Sequence, residues 1–96
     1  MTSIRFAWDA AKASDNLRKH GVSFEEAASA FADENGRLMH DPDHSQNKDR
    51  FVLLGFSARL RLLIVCHAYR ENGEVIRIIS ARKATARERR QYGSYL

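Results

Sequence analysis

The side chains of this chain that could do chemistry are mostly cations. Residues 59–96 contain nine Lys or Arg against three Asp or Glu, whereas residues 1–58 contain seven against nine. A basic half of this kind favours a surface that meets phosphate or an acidic partner. A solvated basic face is the alternative, and charge alone does not separate the two.

A basic and imidazole set is spread over the predicted helices and strands. Cations of this kind stabilise the charge that a phosphodiester gains in its transition state, while an imidazole or a carboxylate moves protons. RNA supplies its own nucleophile, the 2′-hydroxyl, so this chemistry needs no metal. The plainer interpretation is that strand arginines are surface or salt-bridge residues. The set comprises Lys19, His20, Arg50, Arg61, His67, Arg77, Arg82 and Lys83.

The other reactive residue types give weaker signals. His40 and His44 are four residues apart, but Pro42 between them predicts a turn, so the spacing does not predict zinc ligands. Cys66 lies on an apolar strand face, where a thiol is normally inert. The sequence contains no glycine-rich phosphate loop and no nucleophile elbow. We therefore expect no metal, no cofactor and no cysteine nucleophile.

Length and composition predict one domain, residues 1–96. Hydrophobic residues make up 44% of the sequence, which suits a packed core. The longest purely apolar run, residues 62–66, is far too short to span a membrane. The chain opens without a signal-peptide pattern and has one cysteine, which excludes an internal disulfide. These features predict a cytoplasmic protein with no membrane partner.

The first third of the sequence predicts an edge strand and two helices. Asp9 is a suitable N-cap for the first helix, and Gly21 supplies the permissive residue after its end. Ser23 and Glu26 form a capping box that opens the second helix. The predicted elements cover residues 3–8, 10–20 and 24–33.

The rest of the sequence predicts strands and a final helix. The polar segment 41–49 is typical of a loop, and Asn72-Gly73 marks a hairpin turn. Gly55 indicates a bulge or a close approach inside a strand. Thr85 and Glu88 form a second capping box. The predicted strands cover residues 37–40, 50–57, 60–69 and 75–82, and the helix that follows ends near residue 92.

These elements predict an α+β fold. Short connections favour a small antiparallel sheet, with two N-terminal helices on one face and a short C-terminal helix. The strand at 60–69 has an apolar face, from Leu60 to Ala68, which we expect in the core, and a mixed face that we expect partly wet. A two-residue turn at Asn72-Gly73 puts Arg77 beside Ala68, and a three-residue loop reverses this, so the register stays open.

Two long motifs resemble the BrnT toxin family. The first is Phe6-x-Trp8-Asp9-x-x-Lys12 followed by Asn16-Leu17-x-Lys19-His20-Gly21-Val22-x-Phe24-x-Glu26-Ala27. The second is Arg77-Ile78-Ile79-Ser80-Ala81-Arg82-x-Ala84-x-x-x-Glu88-Arg89-x-x-Tyr92. Phe31, Asp33, Arg50 and Gly55 fit between them, so the resemblance covers nearly the whole chain.

The resemblance implies a RelE-like fold and an endonuclease that cleaves messenger RNA without a metal and so inhibits translation and growth. It also implies a type II toxin–antitoxin pair. In such a pair a DNA-binding antitoxin, BrnA, neutralises the toxin, forms a heterotetramer with it and binds operator DNA.

The motif positions suggest roles for particular residues. Lys19, Arg50, Arg77 and Arg82 are the expected cations of the site, the three arginines holding the scissile phosphate. His20 is the expected proton-transfer residue. Three further residues stand in reserve, namely Glu26, Ser80 and Tyr92. Expected RNA contacts outside the catalytic set are Arg61, His67 and Lys83.

Structural roles and other functions compete with these assignments. The alternative interpretation takes Lys19-His20-Gly21 simply as a helix end, Glu88 as a helix cap, and Tyr92 as a packing residue. A noncatalytic module that binds an antitoxin and co-represses the operator would have the same composition. A general RNA-binding domain would need exposed aromatic residues on the sheet, for which Tyr69 is the main candidate.

Overall fold

The computed structural model describes residues 4–41 and 49–93. The elements follow the chain in nearly the predicted order and close to the predicted boundaries. They are β1 Arg5–Ala7, α1 Ala10–His20, α2 Phe24–Ser29, a 3-10 turn Ala30–Ala32, β2 Arg37–His40, β3 Arg50–Phe56, β4 Leu62–Arg70, a second 3-10 turn Glu71–Gly73, β5 Val75–Lys83 and α3 Ala86–Gly93.

The five strands form one mixed sheet in the order β1-β5-β4-β3-β2. Strands β2 to β5 pair antiparallel, as their short connections predict. β1 pairs parallel with β5, with Phe6 opposite Ile76, so the sheet is mixed at this edge, where the short connections of the later strands made no prediction. The chain leaves β1 into the two helices and returns to its side only with β5, a long connection that permits parallel pairing.

The helix boundaries follow the predicted caps. The Asp9 carboxylate accepts a hydrogen bond from the backbone N–H of Lys12, at 2.9 Å, and Gly21 adopts φ 69° after the last turn of α1. The Ser23 hydroxyl accepts the backbone N–H of Glu26 at 3.0 Å. The Glu26 carboxylate does not complete this capping box, because it bonds Arg61 and Ser57 instead.

The first two helices cover one face of the sheet, here called the helix-pair face. Phe24 and Ala27 of α2 pack there against Leu63 and Val65 of β4, all four fully buried. These β4 residues belong to the face expected to be partly wet. That expectation is wrong, because α1 and α2 cover this side of the strand.

The opposite face, here called the α3 face, carries a second apolar cluster. Leu54, Leu62 and Ile64 pack with the buried Tyr92 of α3. Helices therefore lie on both faces of the sheet. The apolar face of β4 is in a core, as expected, except at Leu60, which precedes the strand and is 82% exposed.

The side chain of Asn16 closes part of the sheet edge that β1 leaves open. Its amide nitrogen donates to the carbonyl of Ala81 at 2.8 Å, and its oxygen accepts from the N–H of Ala81 at 3.0 Å. This reciprocal pair imitates a neighbouring strand and fixes α1 alongside β5. None of the helices in the described residues is long and apolar enough to cross a membrane.

Candidate functional site

A β-bulge brings three of the expected site residues onto one face. Cys66 pairs with Ser80 and His67 pairs with Ile78, so β5 has one extra residue, Ile79, against β4. In a regular strand, residues 77 and 80 point to opposite faces. The extra residue shifts the alternation of side chains along β5 by one position. Arg77, Ser80 and Arg82 therefore all lie on the α3 face.

Arg50 and Arg77 lie in one row across the sheet. Arg50 pairs with Ala68 on one side, and Arg77 pairs with Ala68 on the other. The register is therefore the one that a two-residue turn at Asn72-Gly73 predicts, although the loop contains a short 3-10 turn. We call Arg50, Ala68 and Arg77 the arginine row. The alanine methyl is small, so it leaves space between the two guanidinium groups.

The arginine row forms part of a small basic cavity of about 190 Å³. Lys12 of α1 and Arg70 also line it, and Asp49 is its acidic lining residue. Both row arginines are half-buried, and within residues 4–41 and 49–93 neither guanidinium has a hydrogen-bond or ion-pair partner. Half-buried cations that are paired with no carboxylate are typical of a site that receives an anionic ligand.

Arg50 also lines a second and larger cavity on the α3 face, of about 570 Å³. Its lining includes Ser80 and Arg82 of β5 and Glu88 of α3. His40 of β2 borders it at the edge of the sheet, but the His40 ring packs on Phe51 on the helix-pair face, with centroids 4.7 Å apart. Because the two cavities share Arg50, they adjoin each other on the α3 face. We call the two cavities together the basic groove.

In the basic groove Arg82 is paired with an acid. Its guanidinium donates two hydrogen bonds to the Glu88 carboxylate, at 2.8 and 3.0 Å. Glu88 also accepts the backbone N–H of Thr85 at 2.8 Å and so completes the predicted capping box. The Arg82 hydrogen bonds, above all, lower the pKa of Glu88 to about 2. Arg82 thus supports the start of α3 as well as lining the groove.

Cys66 lies in the wall of the basic groove. Its thiol is buried, and its sulfur lies 3.4 Å from an Asp41 carboxylate oxygen. Burial, with the Asp41 contact, raises the pKa of Cys66 to about 11. A thiol with so high a pKa is protonated at neutral pH, which agrees with a packing role.

Lys19 and His20 do not line the groove. Both are exposed in the last turn of α1. Lys12, in the first turn, lies beside Arg77, and Asn16 bonds Ala81, so α1 runs along β5 away from the arginine row. His20 therefore lies toward the opposite end of the sheet.

Glu26 and Arg61 form an ion pair away from the groove. The Glu26 side chain is 4% exposed and accepts from Arg61 Nε at 2.8 Å and from the Ser57 hydroxyl at 2.7 Å. The Arg61 and Ser57 hydrogen bonds lower the pKa of Glu26 against the opposing effect of burial. This pair ties α2 to the turn between β3 and β4.

His67 and Tyr69 lie on the helix-pair face. His67 is fully buried against Phe31, with ring centroids 4.8 Å apart, and burial lowers its pKa. Its Nδ1 lies 3.0 Å from the Val65 carbonyl, which can only accept, so the proton is on Nδ1. Tyr69 is half-buried beside Phe51, with centroids 5.3 Å apart. His67 is therefore placed in the core rather than at an RNA-contact surface.

Tyr92 fastens α3 to the rest of the fold. Its hydroxyl donates to Asp33 Oδ2 at 2.7 Å, and the same oxygen accepts the N–H of Phe56 at 2.8 Å. Burial and the Asp33 carboxylate raise the pKa of Tyr92 to about 12. Gly55 lies against this junction, since a Cβ there would be 3.1 Å from the Ala30 carbonyl oxygen. The predicted close approach at Gly55 is confirmed.

The remaining residues to place are Lys83 and His44. Lys83 is exposed at the end of β5, opposite Leu63, and lines neither cavity. His44 lies outside the described residues, so the expectation that it forms no zinc site with His40 stays a prediction. Among the residues that the structure does describe, no three His, Cys, Asp or Glu side chains cluster as metal ligands would.

Sequence reasoning missed Lys12 as a groove residue. Lys12 belongs to the first motif, but a cation in the first turn of α1 has no evident link to a strand that begins more than sixty residues later. Its place beside Arg77 depends on how α1 packs along β5. The available signal was its charge, because a lysine in the first turn of a helix is unfavourable against the helix dipole.

Comparisons with known proteins agree with the fold described above. The family model described as the ribonuclease toxin BrnT of a type II toxin–antitoxin system matches residues 8–88. The crystal structure of the Brucella abortus ribonuclease toxin BrnT superposes with a TM-score of 0.68, at 21% identity, covering 86% of this chain and 99% of that one. A search of curated proteins gives no match. The extent of the family match, together with this fold, shows that the chain belongs to the BrnT family of type II ribonuclease toxins.

Proposed function

We propose that this toxin cleaves messenger RNA in the basic groove without a metal ion. The observation that carries the proposal is the arginine row, in which Arg50 and Arg77 flank Ala68 and have no anionic partner among the described residues. A phosphodiester over Ala68 would take up hydrogen bonds from both guanidinium groups. Their planar forks match phosphate oxygens and keep their charge at any relevant pH.

The reaction consists of an attack by the substrate's own hydroxyl. The 2′-oxygen forms a bond to phosphorus while the bond to the 5′-oxygen breaks, which yields a 2′,3′-cyclic phosphate and a 5′-hydroxyl end. The 2′-hydroxyl loses its proton to a base, and the leaving oxygen gains one. Arg50 and Arg77 stabilise the additional negative charge on the phosphate oxygens in the transition state.

We assign proton transfer to neither exposed histidine of the described residues. His40 pairs with Phe51 in the sheet and its ring packs on Phe51, with centroids 4.7 Å apart, so the imidazole lies on the helix-pair face. His20 ends α1 at the other end of the sheet. Glu88 is a poor base, because its hydrogen bonds with Arg82 lower its pKa to about 2. The Ser80 hydroxyl is exposed in the groove and remains a hydrogen-bond donor to the substrate.

The biological role follows from the family. We propose that the activity inhibits translation and growth in the cytoplasm, and that a DNA-binding antitoxin neutralises it and carries the pair to operator DNA. Induced expression of the chain alone should arrest growth, and co-expression of the antitoxin should restore it. Normal growth with abundant folded protein would instead support a noncatalytic co-repressing module.

A cleavage assay tests the chemistry. The purified toxin should cut RNA in excess chelator, and a substrate with a single 2′-deoxy nucleotide at the cut site should resist. Cleavage of the 2′-deoxy substrate would rule out attack by the 2′-hydroxyl. Loss of activity in chelator, restored by one added divalent metal, would rule out the metal-independent route.

A further inference from the structure

The turn between β3 and β4 presents a leucine to solvent in a strained backbone conformation. Leu60 is 82% exposed and has φ 61°, in the left-handed region that favours glycine and asparagine. A bulky apolar residue gains nothing for the isolated fold at such a position, since it is neither buried nor relaxed. A strained and exposed apolar residue points to a role in contact with another molecule.

The turn that carries Leu60 is rigid. The N–H of Leu60 bonds the Ser57 carbonyl at 2.9 Å, and the N–H of Ser57 bonds the Arg61 carbonyl at 2.9 Å. The Ser57 hydroxyl donates to the buried Glu26 carboxylate at 2.7 Å, and the N–H of Ala58 bonds the Ser29 hydroxyl at 2.8 Å. These hydrogen bonds to α2 support the strained conformation of the turn. Leu60 therefore has the same position in the free chain that it would have in a complex.

The surroundings of Leu60 are basic and partly apolar. Arg61 donates to the Gly21 carbonyl at 2.9 Å, which places the end of α1 beside the turn. That last helical turn exposes Lys19 and leaves Leu17 52% exposed. The side chain of Arg59, next to Leu60, is 75% exposed, with its guanidinium 4.0 Å from the Glu26 carboxylate. We call this region, made of Leu17, Lys19, Arg59 and Leu60, the Leu60 corner.

We infer that the Leu60 corner is a docking surface for the cognate antitoxin. The segment that docks there would bury Leu60 in an apolar pocket or against an apolar helix face, and would place Asp or Glu side chains against Lys19 and Arg59. Rigid apolar anchors ringed by polar groups are the usual energetic centres of protein interfaces. The inference rests on the antitoxin partner that type II toxins have, and it does not use the nuclease site.

The Leu60 corner lies at the opposite end of the sheet from the arginine row. β3 begins at Arg50, in the row, and ends at Phe56, directly before the turn. Antitoxin binding at the corner can therefore be measured separately from RNA cleavage in the groove. Failure of the docking proposal would leave the nuclease proposal untouched, and the reverse also holds.

The test compares Leu60→Asn with Leu38→Asn. Leu38 is 53% exposed on β2, at the far edge of the sheet, and serves as the matched control. Affinity for the purified cognate antitoxin is measured by calorimetry, together with the melting temperature and the rate of RNA cleavage. We expect Leu60→Asn to bind at least about tenfold more weakly, because it removes an interface anchor. Its melting temperature should hold or rise, since asparagine tolerates positive φ.

Several outcomes decide the inference. Leu38→Asn should bind like the wild type, and Lys19→Glu should weaken binding more at low salt than at high salt. Antitoxin affinity unchanged in both Leu60→Asn and Lys19→Glu would overturn the proposal. Self-association of the toxin that Leu60→Asn abolishes, with antitoxin binding intact, would overturn it too, by assigning the corner to a second copy of this chain.

Discussion

Arg50 and Arg77 stand on either side of Ala68, on the same face of the sheet, although they come from strands that are not neighbours. Adjacent strands are about 4.8 Å apart, so the two Cα atoms are separated by roughly 10 Å. Two long guanidinium side chains can close that distance around a phosphate. The small side chain of Ala68 leaves the space between them free, so that a phosphate can lie there and contact both arginines.

The Arg82–Glu88 pair should matter for stability as well as for activity. Glu88→Ala removes a helix cap and leaves Arg82 without its bidentate acceptor. We expect a loss of about 1 kcal/mol in the free energy of unfolding, which corresponds to roughly 4–8 °C in melting temperature for a domain of this size. Thermal unfolding of Glu88→Ala and Arg82→Ala measures this. Unchanged melting in both would show that the pair does not hold α3.

Acid should remove the contribution of Glu88. Its pKa is lowered from 4.5 to about 2 in the folded chain, so the carboxylate stabilises the fold above the unfolded pKa and loses this effect as pH falls toward 2. The difference in free energy of unfolding between wild type and Glu88→Gln should therefore be full above about pH 5 and shrink at lower pH. Denaturant titrations between pH 7 and pH 2 check this. A difference that grows on acidification would contradict it.

Glu26 should prove structural. Glu26→Ala leaves Arg61 and Ser57 without their acceptor, and leaving the buried Ser57 hydroxyl unsatisfied costs about 1–3 kcal/mol. We expect a much lower melting temperature and normal cleavage per folded molecule. Chemical denaturation gives the stability, and cleavage at a temperature where the variant remains folded gives the activity. A folded Glu26→Ala toxin that cleaves poorly would return Glu26 to the list of catalytic candidates.

Neither exposed histidine of the described residues should be needed for cleavage. His40→Ala and His20→Ala should both leave the rate unchanged, because the His40 ring packs on Phe51 on the helix-pair face and His20 ends α1 away from the arginine row. Single-turnover rates on the same RNA compare them directly, with melting temperatures as a check on folding. A folded His20→Ala variant that cleaves slowly would place proton transfer at the end of α1, and a folded His40→Ala variant that does so would place it at the edge strand β2.

The sequence alone predicts the elements well because local signals determine them. Asp9, Gly21 and the Thr85–Glu88 capping box fix helix ends through contacts within a few residues. The site is harder to predict, since it depends on the register across strands. Arg77 shares a face with Arg82 because of a single bulge residue, Ile79, and no local sequence pattern predicts this bulge.

The packing of charged residues is also beyond local signals. The alternation of side chains predicts that Arg61 and His67 lie on the same, partly wet face of one strand. In the structure His67 is buried, and Arg61 donates to the Gly21 carbonyl at the end of α1. Lys12 reaches the groove because Asn16 docks α1 on the edge of β5, a contact across 65 positions of sequence. Tertiary contacts of this range determine which of several similar cations meet the substrate.

The arginine row is tested most directly by single-turnover cleavage of RNA in chelator by wild type, Arg77→Ala, Arg50→Ala and Arg89→Ala. Arg89 is exposed on α3 and lines neither cavity, so it serves as the control. We predict that Arg77→Ala and Arg50→Ala each lower the rate by about 10²–10³-fold, with melting temperatures and Arg89→Ala activity like the wild type. Wild-type cleavage rates in both row variants, with the fold intact, would contradict the account and place the nuclease site elsewhere on the chain.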